Sequence, residues 1–106
     1  MGMFNRFHAP NMDEGVRQFR ATEGAVLVDV REPDEYAGGH VPGSVNLPLS
    51  QIRTAESVLT DKSQPVFVYC LSGGRSAQAT SFLVRLGYTA VTNIGGISAY
   101  HGEVER

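Results

Sequence analysis

Several absences narrow this sequence. It has one cysteine, Cys70, so an internal disulfide is excluded, and His8, His40 and His101 are too scattered to complete a four-ligand zinc set. No metal and no cofactor is called for. Long apolar runs are missing as well: AVLV and VFVYCL fall far below the roughly 18 residues that a membrane span requires. Neither charge sign dominates, with nine Lys and Arg against eleven Asp and Glu, so there is no basic field to draw in a phosphate backbone and nucleic acid is not expected as a partner. The opening MGMFNRFHAPNMDE lacks the charged-then-apolar layout of a signal peptide, and Arg6 stands where a myristoylation pattern wants Ser or Thr. These absences fit a cytoplasmic protein with no membrane partner.

What is present reads as one domain across residues 1–106, a length close to the commonest domain size, with 42% apolar and 19% charged residues. In NMDEGVRQFRAT, Met12, Val16 and Phe19 recur at helical spacing behind Asn11 as N-cap, with Asp13 and Glu14 in the first turn where the helix dipole favours acids. AVLVDV is an apolar, β-branched run suited to a strand covered on both faces. REPDEYAGGH predicts a short helix opened by Pro33 and stopped at Gly38-Gly39. A brief extended piece is expected at Ser44 to Leu47 and a third helix over Ser50 to Leu59. PVFVY is the strongest strand signal. SAQATSFLVRLG places Ala79, Phe82, Leu83 and Leu86 on one helical face with Gly87 at C′, YTAVTNI predicts another strand, and GGISAYHG a loop with at most a short helix. Strands separated by helices imply an α/β fold with a mainly parallel sheet, whose ligands collect at the carboxyl ends of the strands.

Cys70 occupies such an end, in VFVYCLSGGRSAQATSFLVRLG. A free cysteine, with a pKa near 8.5, is only about 3% thiolate at neutral pH, whereas placement at a helix N-terminus beside a cation lowers that pKa. The thiolate is the nucleophile, so this position raises reactivity. Gly73 and Gly74 allow backbone N–H groups to turn inward as an anion-binding nest. Arg75 opens a helix against its dipole, at a cost of up to about 1 kcal/mol, which points to an anionic partner. Ser72 and Ser76 supply hydroxyl donors to the same anion or cap the helix. The plain alternatives are a buried, inert cysteine, a tight turn at the glycines and an arginine paired with a local acid. None of these alone accounts for the three features together.

The stretches LVDVREPDEYAGGHVPGSVNLPLSQI and VFVYCLSGGRSAQATSFLVRLGYTAVTNIGGISAY resemble the rhodanese-like domain family from about Met12 to Tyr100, with the DVREPDEYAGGHVPG segment, the cysteine loop and the late GG in family order. Tyr100 stands where the family often has Trp. The resemblance implies a five-stranded, mainly parallel sheet flanked by helices on both faces, and a single-domain thiosulfate sulfurtransferase whose cysteine carries a persulfide. Four residues separate Cys70 from Arg75, as in rhodanese-type sulfurtransferases, whereas related phosphatases use one more.

The mechanism expected on this basis is ping-pong. Cys70 attacks the outer sulfur of a small anionic donor such as thiosulfate, sulfite leaves, and cyanide, a small thiol or a thioredoxin-like protein then takes the sulfur from the persulfide. The loop Leu71, Ser72, Gly73, Gly74, Arg75 and Ser76 would surround the terminal sulfur with N–H groups, and Arg75 would hold the donor's sulfonate or steady the loop. Asp29 and Arg31, in the DVR segment, are supporting candidates: Asp29 to order the loop and Arg31 to add positive field, or else a plain ion pair with neighbouring Glu32, Asp34 or Glu35. His40 is expected to be a hydrogen-bonded structural residue, His8 and His101 to lie on the surface, and the tyrosines to fill core edges. Two other readings stay open: a cysteine phosphatase or arsenate-reductase-like enzyme, and a rhodanese-fold binding or regulatory module with an idle cysteine. The oligomeric state is not legible.

Overall fold

The computed structural model describes residues 11–106, so the expectations for the first ten residues, including His8 and the N-terminal layout, lie outside the described residues. The chain runs α1 (Met12–Ala21), β1 (Val26–Asp29), α2 (Pro33–Ala37), β2 (Ser44–Asn46), a 3-10 segment (Leu49–Thr54), α3 (Ala55–Val58), β3 (Val66–Cys70), α4 (Gly74–Arg85), β4 (Val91–Gly96) and a last 3-10 turn (Ile97–Ala99). All strand pairs are parallel, in the order β2-β1-β3-β4. The described residues thus form a sheet of four strands rather than the expected five.

Period-two alternation explains how the sheet serves two cores. Along β3 every side chain is buried. Val66, Val68 and Cys70 join Val28, Val30, Ile52, Ala55, Ala79 and Leu83 on one face, whereas Phe67 and Tyr69 join Leu27, Met12, Val16 and Ile94 on the other. Helices α3 and α4 therefore cover the face that carries Cys70, and α1 covers the opposite one.

The helix ends follow their local chemistry. The Asn11 side chain accepts the Glu14 N–H at 2.8 Å as N-cap of α1. Helix α2 begins at Pro33 with a capping box between Glu32 and Glu35. Helix α4 ends in a Schellman arrangement, with Gly87 at φ +106°, Gly87 N–H on the Val84 carbonyl at 3.0 Å and Tyr88 N–H on the Leu83 carbonyl at 3.1 Å. The helix expected over Ser50 to Leu59 is instead mostly 3-10 and kinks at Gln51 (φ −116°), with only Ala55–Val58 truly α-helical. Few apolar positions fix that segment: Ile52, Ala55 and Leu59 are its buried residues, and their spacing tolerates either winding.

Topology places the site. Strand β1 lies between β2, reached through α2, and β3, whose own exit leads through α4 to β4, so the direction of winding reverses between β1 and β3. A crevice opens at the carboxyl ends of strands where such a reversal occurs. Asp29, Arg31 and the Cys70 loop all stand at that end.

Gly15 lies inside α1, where exchange for alanine would ordinarily stabilise a helix by about 1 kcal/mol. Here an added Cβ would fall 2.4 Å from the Cβ of Ile94, because α1 approaches β4 without a spacer. Gly15→Ala is therefore expected to destabilise the fold by about 1–3 kcal/mol, the usual cost of overpacking, read as a lower urea midpoint with an unchanged m-value.

Candidate active site

Cys70 is the last residue of β3 and is 1% exposed. The chain leaves the strand through Leu71 and Ser72, turns at Gly73, which takes φ +110° as N-cap of α4, and enters the helix at Gly74. That turn aims the Gly73 N–H at the Cys70 sulfur, with N to Sγ 3.0 Å. Ser76, fully buried one turn into α4, puts Oγ 3.4 Å from Sγ, accepting from the thiol S–H and able to donate to a thiolate. Burial alone pushes the thiol pKa up. The Ser76 hydroxyl and the backbone N–H groups of Ser76, Gly73 and Ser72 outweigh it, so the net shift is downward.

The loop is fixed from behind by β4, a strand that was expected, in a supporting role that the sequence did not announce. A register shift between β3 and β4 falls after Val68↔Asn93, and Gly95 takes φ +97°. Asn93 Oδ1 accepts the Ser76 hydroxyl at 2.7 Å and the Gly95 N–H at 2.9 Å, while its Nδ2 donates to the Gly73 carbonyl at 3.4 Å. The Leu71 carbonyl accepts the Ser98 N–H at 3.1 Å. Gly96 backs onto this carbonyl so closely that a Cβ would sit 2.0 Å from it, which explains the late GG. Of the earlier glycine pair, only Gly73 is required by its backbone angle; a Cβ at Gly74 would meet nothing within 4 Å. Asn93 is the positioning residue that sequence reading missed. An amide side chain inside a strand, two residues before GG, was the available signal.

Arg75 meets an anion, but one from its own chain. Its Nη1 and Nη2 donate to Glu35 Oε1 and Oε2 at 2.7 and 3.1 Å, joining the first turn of α4 to α2. The Arg75 guanidinium, helped by the Glu32 N–H, holds the Glu35 carboxyl down at about 2 against an ordinary 4.5, in spite of burial.

Asp29 and Arg31 pair with each other rather than with Glu32, Asp34 or Glu35. Arg31 Nε and Nη2 donate to Asp29 Oδ1 and Oδ2 at 3.0 and 2.7 Å, and Nη2 also reaches the Gly39 carbonyl at 2.7 Å. Asp29 is wholly buried and Arg31 5% exposed, with the guanidinium 5.9 Å from the Tyr69 ring centroid. The hydrogen bonds of the Asp29 carboxylate run to Arg31, not to the Cys70 loop. The pair braces the turn between α2 and β2. His40 stacks on Tyr36 at 3.8 Å and hydrogen-bonds the Tyr36 carbonyl through Nδ1 at 2.8 Å, a structural role, while His101 is exposed and pairs with Asp13. Tyr100 packs against the α1 core. No helix among the described residues is long and apolar enough to cross a membrane.

Comparison with known proteins identifies the family of the chain. The rhodanese-like domain model matches residues 12–103, and the chain belongs to that family. It is 41% identical to the thiosulfate sulfurtransferase PspE of Escherichia coli K12 over 71 residues, covering 66% of this chain and 68% of that protein. It is 43% identical to a sulfurtransferase of Allochromatium vinosum over 84 residues, covering 76% and 78%. Among solved structures, a rhodanese with anions from E. coli superposes with a TM-score of 0.72 at 35% identity, covering 77% of this chain and 98% of that one.

The Glu35 carboxyl gives a pH dependence of defined sign. A group at about 2 when folded and 4.5 when free adds stability that is complete above 4.5 and is lost as pH falls toward 2. Asp13 and Asp61 are also lowered and contribute to the same acid limb. The urea midpoint of the wild type should fall between about pH 6 and about pH 3, and Glu35→Gln should show a smaller fall over that range.

Proposed function

We infer that this chain is a sulfurtransferase that carries sulfane sulfur as a persulfide on Cys70, its residues 1–106 acting as a single rhodanese-like domain. The observation that carries the reading is the inward Gly73 N–H on Sγ, joined by Ser76, at the strand-to-helix turn of a family in which the PspE and Allochromatium vinosum relatives are named as sulfurtransferases. A nucleophile already biased toward its anion needs no general base.

Each step balances. The Cys70 thiolate attacks the outer sulfur of thiosulfate, an Sγ–S bond forms, the S–S bond of the donor breaks, and its electron pair leaves on sulfite. The perthiolate then passes its terminal sulfur to cyanide, giving thiocyanate, or to a thiol, and the thiolate returns. Donors such as the Gly73 and Ser76 groups serve the sulfur anion as an oxyanion hole serves oxygen. Ser72, Gly74 and Leu71 shape the loop through their backbone. A reducing, cytoplasmic setting suits a lone thiol kept for this chemistry, and a thioredoxin-like protein is a chemically adequate acceptor.

The 1% exposure of Cys70 favours one competitor, a rhodanese-fold module with an idle cysteine. Intact mass spectrometry separates the two. After incubation with thiosulfate, the protein should gain the mass of one sulfur atom and then convert cyanide to thiocyanate, and Cys70→Ser should do neither. An unloaded wild type would leave the binding module in front.

A further inference from the structure

Two arginines stand at the carboxyl end of the sheet that carries the Cys70 loop, Arg31 and Arg75, and both are already paired. Arg31 is buried and closed on Asp29. Arg75 is closed on Glu35 through both oxygens, with side chains 32% and 30% exposed. Glu35 has a second hold on its place, because its Oε1 also accepts the Glu32 N–H at 2.9 Å in the capping box that starts α2. An anion reaching for the Arg75 fork must therefore compete with a carboxylate already seated there, whose charge stays beside the fork. Glu32 and Asp34, exposed on the same short element, add negative charge beside it.

We propose that Glu35 acts through Arg75 as a positioning residue that sets donor specificity, so that the site selects a sulfane donor carried on an organic group with no more than one negative charge, over a free dianion. This rests on Cys70 being the sulfur carrier. With an organic thiosulfonate the thiolate attacks the terminal sulfur, the donor S–S bond breaks, and the electron pair leaves on the sulfinate while Cys70 keeps the sulfur as its perthiolate. No oxidant or reductant is consumed. The chemistry matches that with thiosulfate, but the donor brings one charge fewer to the site.

The test compares thiosulfate with methanethiosulfonate as donors to the full chain at neutral pH and low salt, in wild type and Glu35→Gln, whose glutamine keeps the capping oxygen and removes the charge. The ratio of kcat/KM for thiosulfate to that for methanethiosulfonate should rise about fivefold in the variant, the effect of one half-exposed charge, and through the KM for thiosulfate rather than kcat. Salt gives a second reading: added salt should speed loading by thiosulfate relative to methanethiosulfonate more in wild type than in Glu35→Gln, the difference isolating the Glu35 charge from that of the thiolate itself. A ratio that falls or stays level in Glu35→Gln, or a salt effect no larger in wild type than in the variant, overturns the proposal while leaving the persulfide intact. Failure of both donors to load Cys70 overturns the sulfurtransferase reading itself, and the proposal with it.

Discussion

The Cys70 sulfur lies in the protein interior, where an anion is penalised, and receives inward hydrogen bonds that favour the anion. Gly73 N–H at 3.0 Å is the shortest of these, and it exists because Gly73 adopts a left-handed backbone that another residue would enter only under strain. Burial without those donors would leave an inert thiol, and donors without burial would act in a dielectric that weakens them. The balance between the two sets the chemistry. Much of the surrounding structure holds the donors in place: Asn93 behind Ser76 and Gly73, Ser98 on the Leu71 carbonyl, and Gly96 yielding room for that carbonyl.

The one hydroxyl proton of Ser76 links loop geometry to the state of the sulfur. In the thiol state its nearest acceptor is Asn93 Oδ1, at 2.7 Å, and Oγ accepts from the cysteine. When the sulfur ionises or carries a terminal sulfur anion, the same proton can turn toward it. Asn93 keeps its contact with the Gly95 N–H throughout, so the loop need not move when the charge appears. The second polar cluster, Asp29 and Arg31 with the Gly39 carbonyl, is static by comparison. It is buried and mutually satisfied, and removing one partner would strand a charge at a cost of about 3–5 kcal/mol.

Elements with strong local signals were legible in the sequence. Helix α1 follows its apolar spacing and its Asn11 cap, β3 its continuous apolar run, and α4 its face of Ala79, Phe82 and Leu83 closed by Gly87. The 3-10 winding of Leu49–Thr54 was not legible, because its few buried positions suit both helix types. The fifth strand came from family resemblance and is not among the described strands. At the site, the cysteine, the turn and Ser76 are local in sequence and were readable. Glu35 and Asn93 reach the loop from 40 and 17 positions away, through pairings that only the folded sheet creates. The anionic partner inferred for Arg75 from its unfavourable place at a helix start does exist, but Glu35 supplies it.

The direct test of the account is the ionisation of Cys70 itself, followed by thiolate ultraviolet absorbance across pH, with Cys70→Ser as blank. The folded protein should ionise at lower pH than the same cysteine in the urea-unfolded chain, and Ser76→Ala should move the midpoint upward. A folded midpoint at or above the unfolded one would mean that burial outweighs the loop donors, and that the sulfur is not held ready as a nucleophile.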